Sequence, residues 1–120
     1  MKTDEILNMD YRKKENKIKI QKVLRKIKPL SKYSEDEDIP LVILEKLIAK
    51  YQKKYDVKFS YIMISTADAD EVIIYSASLR NSEGKWLKNI YGAFIYELFA
   101  KVNIFIYSEV KKGKIERKEK

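Results

Sequence analysis

The sequence predicts an α+β fold: a three-stranded antiparallel β-meander with helices packed on it, in the order α-α-β-β-β-α. The apolar residues have helical spacing in the first half of the chain, alternate with a period of two from Val57, and return to helical spacing after Gly92. With 120 residues, 45% of them hydrophobic, the chain is long enough for one core. We therefore expect a single domain with a basic N-terminal helix (1–33), an α-β-β-β-α core (34–111) and a basic tail (112–120).

The first predicted helix has one apolar face. Its stripe follows the i, i+3, i+4, i+7 rule and consists of Ile20, Val23, Leu24 and Ile27. Pro29 cannot continue the helix and restricts the residue before it, so the helix is predicted to end near Lys28. Asp4 and Asp10 are both acceptable N-cap residues, which leaves the start of the helix open.

The second predicted helix begins at Asp38, a preferred N-cap residue, with Pro40 in its first turn. The acidic run 35–38 would lie at the positive end of the helix dipole, and Lys53 and Lys54 at the negative end. The apolar stripe of this helix consists of Leu44, Leu47, Ile48, Tyr51 and Tyr55.

Alternating apolar and polar residues predict three strands. The predicted strands are 57–64, 71–80 and 85–91. Between the last two, Asn81 and Gly84 predict a turn because both residue types tolerate positive φ. Four aromatic residues could share one surface of this sheet: Tyr61, Tyr75, Trp86 and Tyr91. We expect most of these aromatic residues to lie in the core. If they are exposed, they would form a stacking platform or a protein-binding hot spot.

The last predicted helix, 93–111, is apolar around most of its circumference. Such a helix packs on a sheet and also on a second element, which is either the first helix or a second copy of the protein. The residues that extend its apolar surface, and that we predict at an interface, are Phe94, Tyr96, Ile104 and Tyr107. A homodimer through this helix is therefore one prediction.

The start of this helix resembles a known class of proteins. Residues 92–101 read Gly-Ala-Phe-Ile-Tyr-Glu-Leu-Phe-Ala-Lys, which is Gly followed by small, acidic and apolar residues. In this opening and in its layout, the last two thirds of the chain resembles small phage-encoded α-β-β-β-α sandwich proteins. The resemblance implies a phage or mobile-element protein that regulates or inhibits a host factor. The layout also resembles the double-stranded-RNA-binding domain, although the basic cluster of that family is reduced here to Lys101.

Charge is unevenly distributed along this chain of formal net charge +8. Residues 1–33 contain eleven Lys or Arg and four Asp or Glu, residues 111–120 contain six and two, and residues 57–110 are nearly neutral. Basic faces of this kind bind nucleic acid or an acidic protein surface, or are simply solvated. The candidate binding residues are Lys13, Lys17, Lys19, Lys22, Arg25, Lys26, Lys111, Lys112 and Lys114.

The usual catalytic residues are missing. The sequence has no Cys and no His, which excludes thiol nucleophiles, thiolate metal sites and the usual general base. A remote alternative is a Mg²⁺-dependent nuclease, in which Asp70 and Glu83 would hold the ion and Lys85 would orient the attacking water. Turn formation accounts for the same residues. We expect no enzymatic activity, no catalytic residue, no bound metal and no cofactor.

These observations together predict a small, non-enzymatic binding protein. No uninterrupted apolar run exceeds five residues, and the N-terminus lacks an apolar signal region, so we expect a cytoplasmic protein without a membrane partner. The first hypothesis is a phage or mobile-element protein that acts by protein–protein interaction. The alternative is a nucleic-acid-binding protein that uses the first helix and the tail.

Overall fold

The computed structural model describes residues 3–27, 41–67 and 72–118. These residues form four helices and three strands. In chain order the elements are α1 (Thr3–Leu7), α2 (Lys14–Lys26), α3 (Leu41–Lys54), β1 (Lys58–Ala67), β2 (Val72–Arg80), β3 (Trp86–Gly92) and α4 (Ile95–Lys111). The predicted α+β class is confirmed. The helix end predicted near Lys28 and the N-cap predicted at Asp38 lie outside the described residues.

The basic N-terminal segment forms two helices, where the sequence pattern predicted one. Between α1 and α2, Asp10 Oδ1 accepts hydrogen bonds from the backbone N–H and the Nε–H of Arg12, both at 3.0 Å. Asp10 therefore closes a turn between the helices, and the N-cap residue of α2 is Lys13. A second hydrogen bond, from Arg12 Nη2 to Asp10 Oδ2 at 3.2 Å, holds the same turn.

The apolar stripe of α2 is confirmed. Ile20 and Leu24 are buried, and Val23 and Ile27 pack against the core. The short α1 adds Ile6 and Leu7 to the same core. The core thus begins near the N-terminus, within the segment predicted as the basic N-terminal helix.

The three strands form an antiparallel sheet in the order β1-β2-β3. Asn81 holds the turn between β2 and β3, because its Oδ1 accepts hydrogen bonds from the backbone N–H groups of Glu83 and Lys85 at 3.0 and 2.9 Å. Gly84 in this turn has a φ of +83°, which side chains disfavour. The turn predicted from Asn81 and Gly84 is confirmed.

A β-bulge distorts the pairing of β2 with β3. Leu79 lies opposite Lys88, whereas Arg80 lies opposite Trp86, so Leu87 is the extra residue in β3. Leu87 packs against the core. The bulge therefore shifts the alternation of β3, so that Trp86 lies on the face of Asn89 and Tyr91 and not on that of Lys88.

The last helix, α4, is the centre of the core. Eleven consecutive residues, 96–106, are buried. Full burial requires neighbours on every side, and α4 contacts β2 and β3 as well as α1, α2 and α3. The second element expected beside this helix is therefore supplied by the same chain.

Two of the four predicted interface residues lie in this core. Tyr96 and Ile104 are only 9% and 3% exposed, so the prediction that they form an intermolecular interface is wrong. The ring centroid of Tyr96 lies 5.9 Å from that of Phe99 and 6.1 Å from that of Tyr11. Other parts of the same chain therefore bury these apolar side chains. Phe94 and Tyr107 remain 45% exposed.

A buried ion pair lies within α4. Lys101 Nζ donates a hydrogen bond to Glu97 Oε2 at 2.6 Å and another to the backbone carbonyl of Met9 at 2.8 Å. Glu97 Oε1 accepts a hydrogen bond from the backbone N–H of Ala93 at 2.7 Å. Because both side chains are buried, each charge depends on the other for its neutralisation. The pair joins α4 to the α1–α2 connection and to the β3–α4 connection.

The end of β3 lies close to this ion pair. A Cβ at Gly92 would lie 3.2 Å from Cγ and Cδ of Glu97 and 3.2 Å from the backbone nitrogen of Leu98. The glycine at which the sequence predicted the strand to end therefore allows β3 to approach α4.

We expect Lys101→Met to lower the free energy of unfolding by about 3–5 kcal/mol, because it leaves the Glu97 carboxylate buried without its cation. The double variant Glu97→Gln/Lys101→Met should have a free energy of unfolding about 1–3 kcal/mol higher than that of Lys101→Met, since the isolated carboxylate charge is removed. Urea denaturation of the wild-type protein, the single variants and the double variant measures the coupling.

A matched control is Lys88→Met. Lys88 Nζ lies 3.5 Å from Asp4 Oδ1 in an ion pair with an exposed carboxylate, where a pair contributes about 0–1 kcal/mol. Equal losses for Lys88→Met and Lys101→Met would contradict the assigned role of the buried pair.

Candidate functional site

The C-terminal ends of three helices converge on one cavity. α2 and α4 run in the same general direction, since Tyr11, just before α2, lies 6.1 Å from Phe94, just before α4, while Ile27 and Val110 both line the cavity at the other end. The last turn of α3 and its following residue contribute Lys54 and Tyr55. The packing of α2 and α3 on α4 therefore creates the cavity.

The cavity has a volume of about 520 Å³, which is in the range of small-molecule sites. We call it the basic cavity. Its lining residues are Ile27, Tyr51, Lys54, Tyr55, Asn103, Ile106, Tyr107, Val110, Lys111 and Arg117. The described lining thus contains three cations, three tyrosines and no carboxylate.

Tyrosine rings and cations are arranged around one wall of the basic cavity. The rings of Tyr51 and Tyr55 are stacked, with centroids 6.0 Å apart and an interplanar angle of 28°. Lys54 Nζ lies 5.6 Å from the centroid of the Tyr55 ring, and Arg117 Cζ lies 6.0 Å from it. Cations at these distances are attracted to the electron-rich face of an aromatic ring. The Tyr55 ring therefore helps to hold two like charges near each other.

The inner part of the cavity is fixed by hydrogen bonds. The Tyr51 hydroxyl donates to Asn103 Oδ1, and Asn103 Nδ2 donates to the backbone carbonyl of Phe99 at 2.8 Å. Tyr51 and Asn103 are both buried. These bonds hold the polar groups at the base of the cavity in place without a ligand.

The predicted basic tail packs against the protein as far as residue 118 and contributes Arg117 to the cavity. Gly113, with a φ of +77°, donates its N–H to the Val110 carbonyl at 3.1 Å, and Lys114 donates to the Glu109 carbonyl at 2.8 Å. This pair of bonds is the Schellman motif, which ends a helix and reverses the chain.

After this reversal the chain runs back along the end of α3. Ile115 is buried, Asp56 donates its N–H to the Glu116 carbonyl at 2.8 Å, and Lys118 donates to the Lys54 carbonyl at 3.0 Å. Tyr55 and Arg117 form an antiparallel β-bridge between the two segments. These contacts bring Arg117 to the cavity.

The predicted basic residues are divided between several positions. In α2 and just before it, the exposed members of the set are Lys13, Lys19, Lys22, Arg25 and Lys26. Lys17 differs, because its Nζ lies 5.5 Å from the Tyr11 ring centroid and 5.8 Å from that of Phe94. At the end of α4, Lys111 lines the cavity, and Lys112 Nζ lies 3.6 Å from Glu109 Oε2. Lys114 is exposed.

The sequence analysis missed several residues of the basic cavity. It assigned Lys54 to the helix dipole, Tyr51 and Tyr55 to an apolar stripe, and Arg117 to the tail. The basic character of these segments was visible, but the antiparallel pairing that joins Tyr55 to Arg117 has no sequence pattern.

A second surface lies on the face of the sheet opposite the helices. Trp86 and Tyr91 are 50% and 54% exposed there, so the expectation of a core position is wrong for these two aromatics. Trp86 Nε1 donates a hydrogen bond to Asn89 Oδ1 at 3.1 Å, which fixes the indole on this face. We call the exposed part of this face the open sheet surface; it comprises Arg80, Trp86, Asn89 and Tyr91, whereas Ser76 and Ser78 on the same face are buried. Tyr75 packs against the core instead.

A smaller cleft of about 270 Å³ lies above the buried ion pair, with Asp10 and Arg12 among its lining residues. The hydrogen bond from the Arg12 side chain lowers the pKa of the Asp10 carboxyl group below its usual value. The charged groups of Asp10, Arg12, Glu97 and Lys101 are all engaged with one another or with the backbone. This cleft is therefore explained by the packing of the fold.

The nuclease hypothesis finds little support in the described residues. Glu83 and Lys85 are exposed in the turn that Asn81 holds, and Asp70 lies outside the described residues. Within 3–27, 41–67 and 72–118, no group of three or more acidic side chains could hold a metal ion. In the same ranges no helix is both long and apolar enough to cross a bilayer.

Comparison with known proteins gives no relative. No protein-family model, curated protein or solved structure matches this chain. A function for the chain must therefore be argued from its own surfaces.

We expect Ile115→Ala to lower the free energy of unfolding by about 2–4 kcal/mol, because Ile115 is buried under the returning tail. The exposed neighbour Lys114 provides the control, and Lys114→Ala should change the free energy of unfolding by less than about 0.5 kcal/mol. Chemical denaturation measures both. Indistinguishable values for the two variants would show that the tail does not pack as described.

Proposed function

We propose that this chain is a non-enzymatic binding protein that acts on another protein through the open sheet surface. The observation that carries the proposal is the pair Trp86 and Tyr91, which are both about half exposed on the face of the sheet opposite the buried Ile90. Trp, Tyr and Arg are the residue types that most often dominate the energy of protein–protein interfaces.

The geometry of the surface favours binding at a low entropic cost. Trp86 is held by its hydrogen bond to Asn89, and Arg80 Nη1 donates to the Gly84 carbonyl at 3.1 Å. Side chains that are already fixed lose less conformational freedom when a partner covers them. The sheet beneath is held by pairing on both sides of β2. The open sheet surface is thus a rigid platform.

The layout supports a more specific proposal about the partner. The chain resembles small phage-encoded α-β-β-β-α sandwich proteins, and on that basis the partner would be a host factor that the chain regulates or inhibits. The exposed side chains of Trp86 and Tyr91 would be available for such a contact. The positive net charge of +8 favours a partner with an acidic surface.

Nucleic-acid binding is the second candidate, and a separate observation favours it. The basic segments at the two ends of the chain are distant in sequence, yet α2 and α4 end beside the same cavity through Ile27 and Lys111. Arg25 and Lys26 in the last turn of α2 are exposed, as are Lys111 and Lys112 at the end of α4. Such a concentration of positive charge at one end of the molecule favours a polyanion.

For the first candidate, we expect Trp86→Ala/Tyr91→Ala to weaken partner binding on the order of 30-fold or more, which corresponds to about 2 kcal/mol at a hot spot. The partner is captured with the immobilised wild-type chain, identified by mass spectrometry, purified and titrated against each variant by calorimetry.

The matched control for this prediction is Tyr107→Ala. Tyr107 is 45% exposed, which is similar to Trp86 and Tyr91, but it lies at the basic cavity. A partner that binds Trp86→Ala/Tyr91→Ala as tightly as the wild-type protein would refute the assignment of the open sheet surface.

For the second candidate, labelled single-stranded and duplex DNA and RNA are titrated at 50 and 200 mM salt. A complex with about six phosphate contacts should lose roughly 10³-fold in affinity over this interval, because bound counterions are released. The variant Lys19→Glu/Lys22→Glu/Lys26→Glu should abolish binding.

The control for the charge reversal is Lys46→Glu/Lys58→Glu/Lys85→Glu, which changes the net charge equally at exposed positions outside α2. Nucleic-acid binding that both triple variants weaken to the same extent would reflect net charge alone, and would reject a specific basic face.

A further inference from the structure

We propose that the basic cavity binds one nucleotide unit, with its base against the exposed ring of Tyr107 and its phosphate near Lys54, Lys111 and Arg117. The unit could belong to a free nucleotide or to a single strand, since both present the same chemistry. The proposal does not depend on the open sheet surface. It shares Lys111 with the nucleic-acid candidate, and the experiment below separates the two.

The size and lining of the cavity fit a ligand with a flat ring. Its volume of about 520 Å³ lies within the range in which small-molecule sites are found. The half-exposed ring of Tyr107 presents aromatic surface, and Ile106 and Val110 add apolar lining. The Tyr55 ring is already engaged by the Tyr51 ring and by two cations. Stacking of a base on an aromatic side chain is the common feature of single-strand recognition and tolerates every base.

The charge of the lining fits the phosphate. Among the described residues, no carboxylate forms an ion pair with Lys54, Lys111 or Arg117. Two of these cations also lie over the same Tyr55 ring, at 5.6 and 6.0 Å from its centroid. Like charges that line one cavity without a paired carboxylate raise its positive potential, and a bound anion would lower the electrostatic energy.

The helix dipoles oppose an anion but do not cancel this charge. The C-terminal ends of α2, α3 and α4 each carry about half a negative elementary charge, so together they offset about half of the three positive charges. The site therefore retains a positive charge, which comes from side chains and can be removed by substitution. Because Lys54 and Arg117 are exposed, their substitution should leave the fold intact.

The experiment is isothermal titration calorimetry of the full chain with AMP, adenosine, inorganic phosphate and an eight-nucleotide oligoadenylate. AMP should bind at least about 10-fold more tightly than adenosine or phosphate, since only AMP has both parts. Lys54→Gln and Arg117→Gln should each weaken AMP binding about 10-fold through the loss of a charge-assisted contact.

The matched control is Lys14→Gln, which removes the same charge from an exposed position in the first turn of α2, away from the cavity. It should leave AMP binding unchanged. Circular dichroism and thermal unfolding of each variant verify the fold.

The possible outcomes distinguish a free nucleotide from a single strand, and separate failure of this inference from failure of the nucleic-acid candidate. Octanucleotide binding at least as tight as AMP binding, with the same sensitivity to Arg117→Gln, supports a site for a strand; AMP binding alone supports a site for a free nucleotide. Equal affinity for AMP and inorganic phosphate overturns the inference, because the base would then contribute nothing. Oligonucleotide binding that is lost in Lys19→Glu/Lys22→Glu/Lys26→Glu but unaffected by Lys54→Gln and Arg117→Gln also overturns it, while it leaves the nucleic-acid candidate standing.

Discussion

The buried ion pair between Glu97 and Lys101 is the constraint on which the arrangement of the helices depends. A lysine and a glutamate without exposure to water are tolerated only if every polar atom has a partner, and here those partners come from outside the helix. Lys101 reaches the Met9 carbonyl, and Glu97 accepts the Ala93 N–H. The pair therefore fixes the connection before α2 and the connection before α4 against the same turn of α4. Because both helices start from this point and run in the same direction, their basic C-terminal ends finish together.

This arrangement assigns different chemistry to different sides of one small protein. The sheet buries Ala77, Leu79 and Ile90 on one face and exposes Trp86 and Tyr91 on the other. Many of the core residues belong to α4, in which residues 96–106 are all buried. The charged residues are left for the outer faces of α2 and α3 and for the returning tail. A protein surface and an anionic ligand could thus be bound at separate sites without competition.

The sequence pattern predicted the helices, strands and turns better than it predicted which of them pack against one another. Helical spacing identified the stripe of α2, and Asn81 and Gly84 identified the turn before β3, because each depends on local geometry. Periodicity cannot show which element covers a helix face, so Tyr96 and Ile104 were assigned to an interface although they lie in the core. Glu97 and Lys101 look like ordinary surface residues of a helix at a spacing of four. The packing of Ile115 depends on a chain reversal at Gly113, and a single apolar residue in a basic segment has no period.

The basic cavity shows why a binding site is harder to predict than a fold. Its lining comes from the end of α2, the end of α3, the second half of α4 and the returning tail, and no two of these segments share a sequence motif. Lys54 and Lys111 are each explained by the preference of helix C-termini for cations, which would need no ligand. Arg117 has no such explanation, because it follows α4 and belongs to no helix. Its backbone is held by the bridge to Tyr55, and its guanidinium lies over the Tyr55 ring, which Lys54 Nζ also approaches. The fold thus brings a third cation to a place where electrostatic repulsion disfavours it, and a bound anion would remove that repulsion.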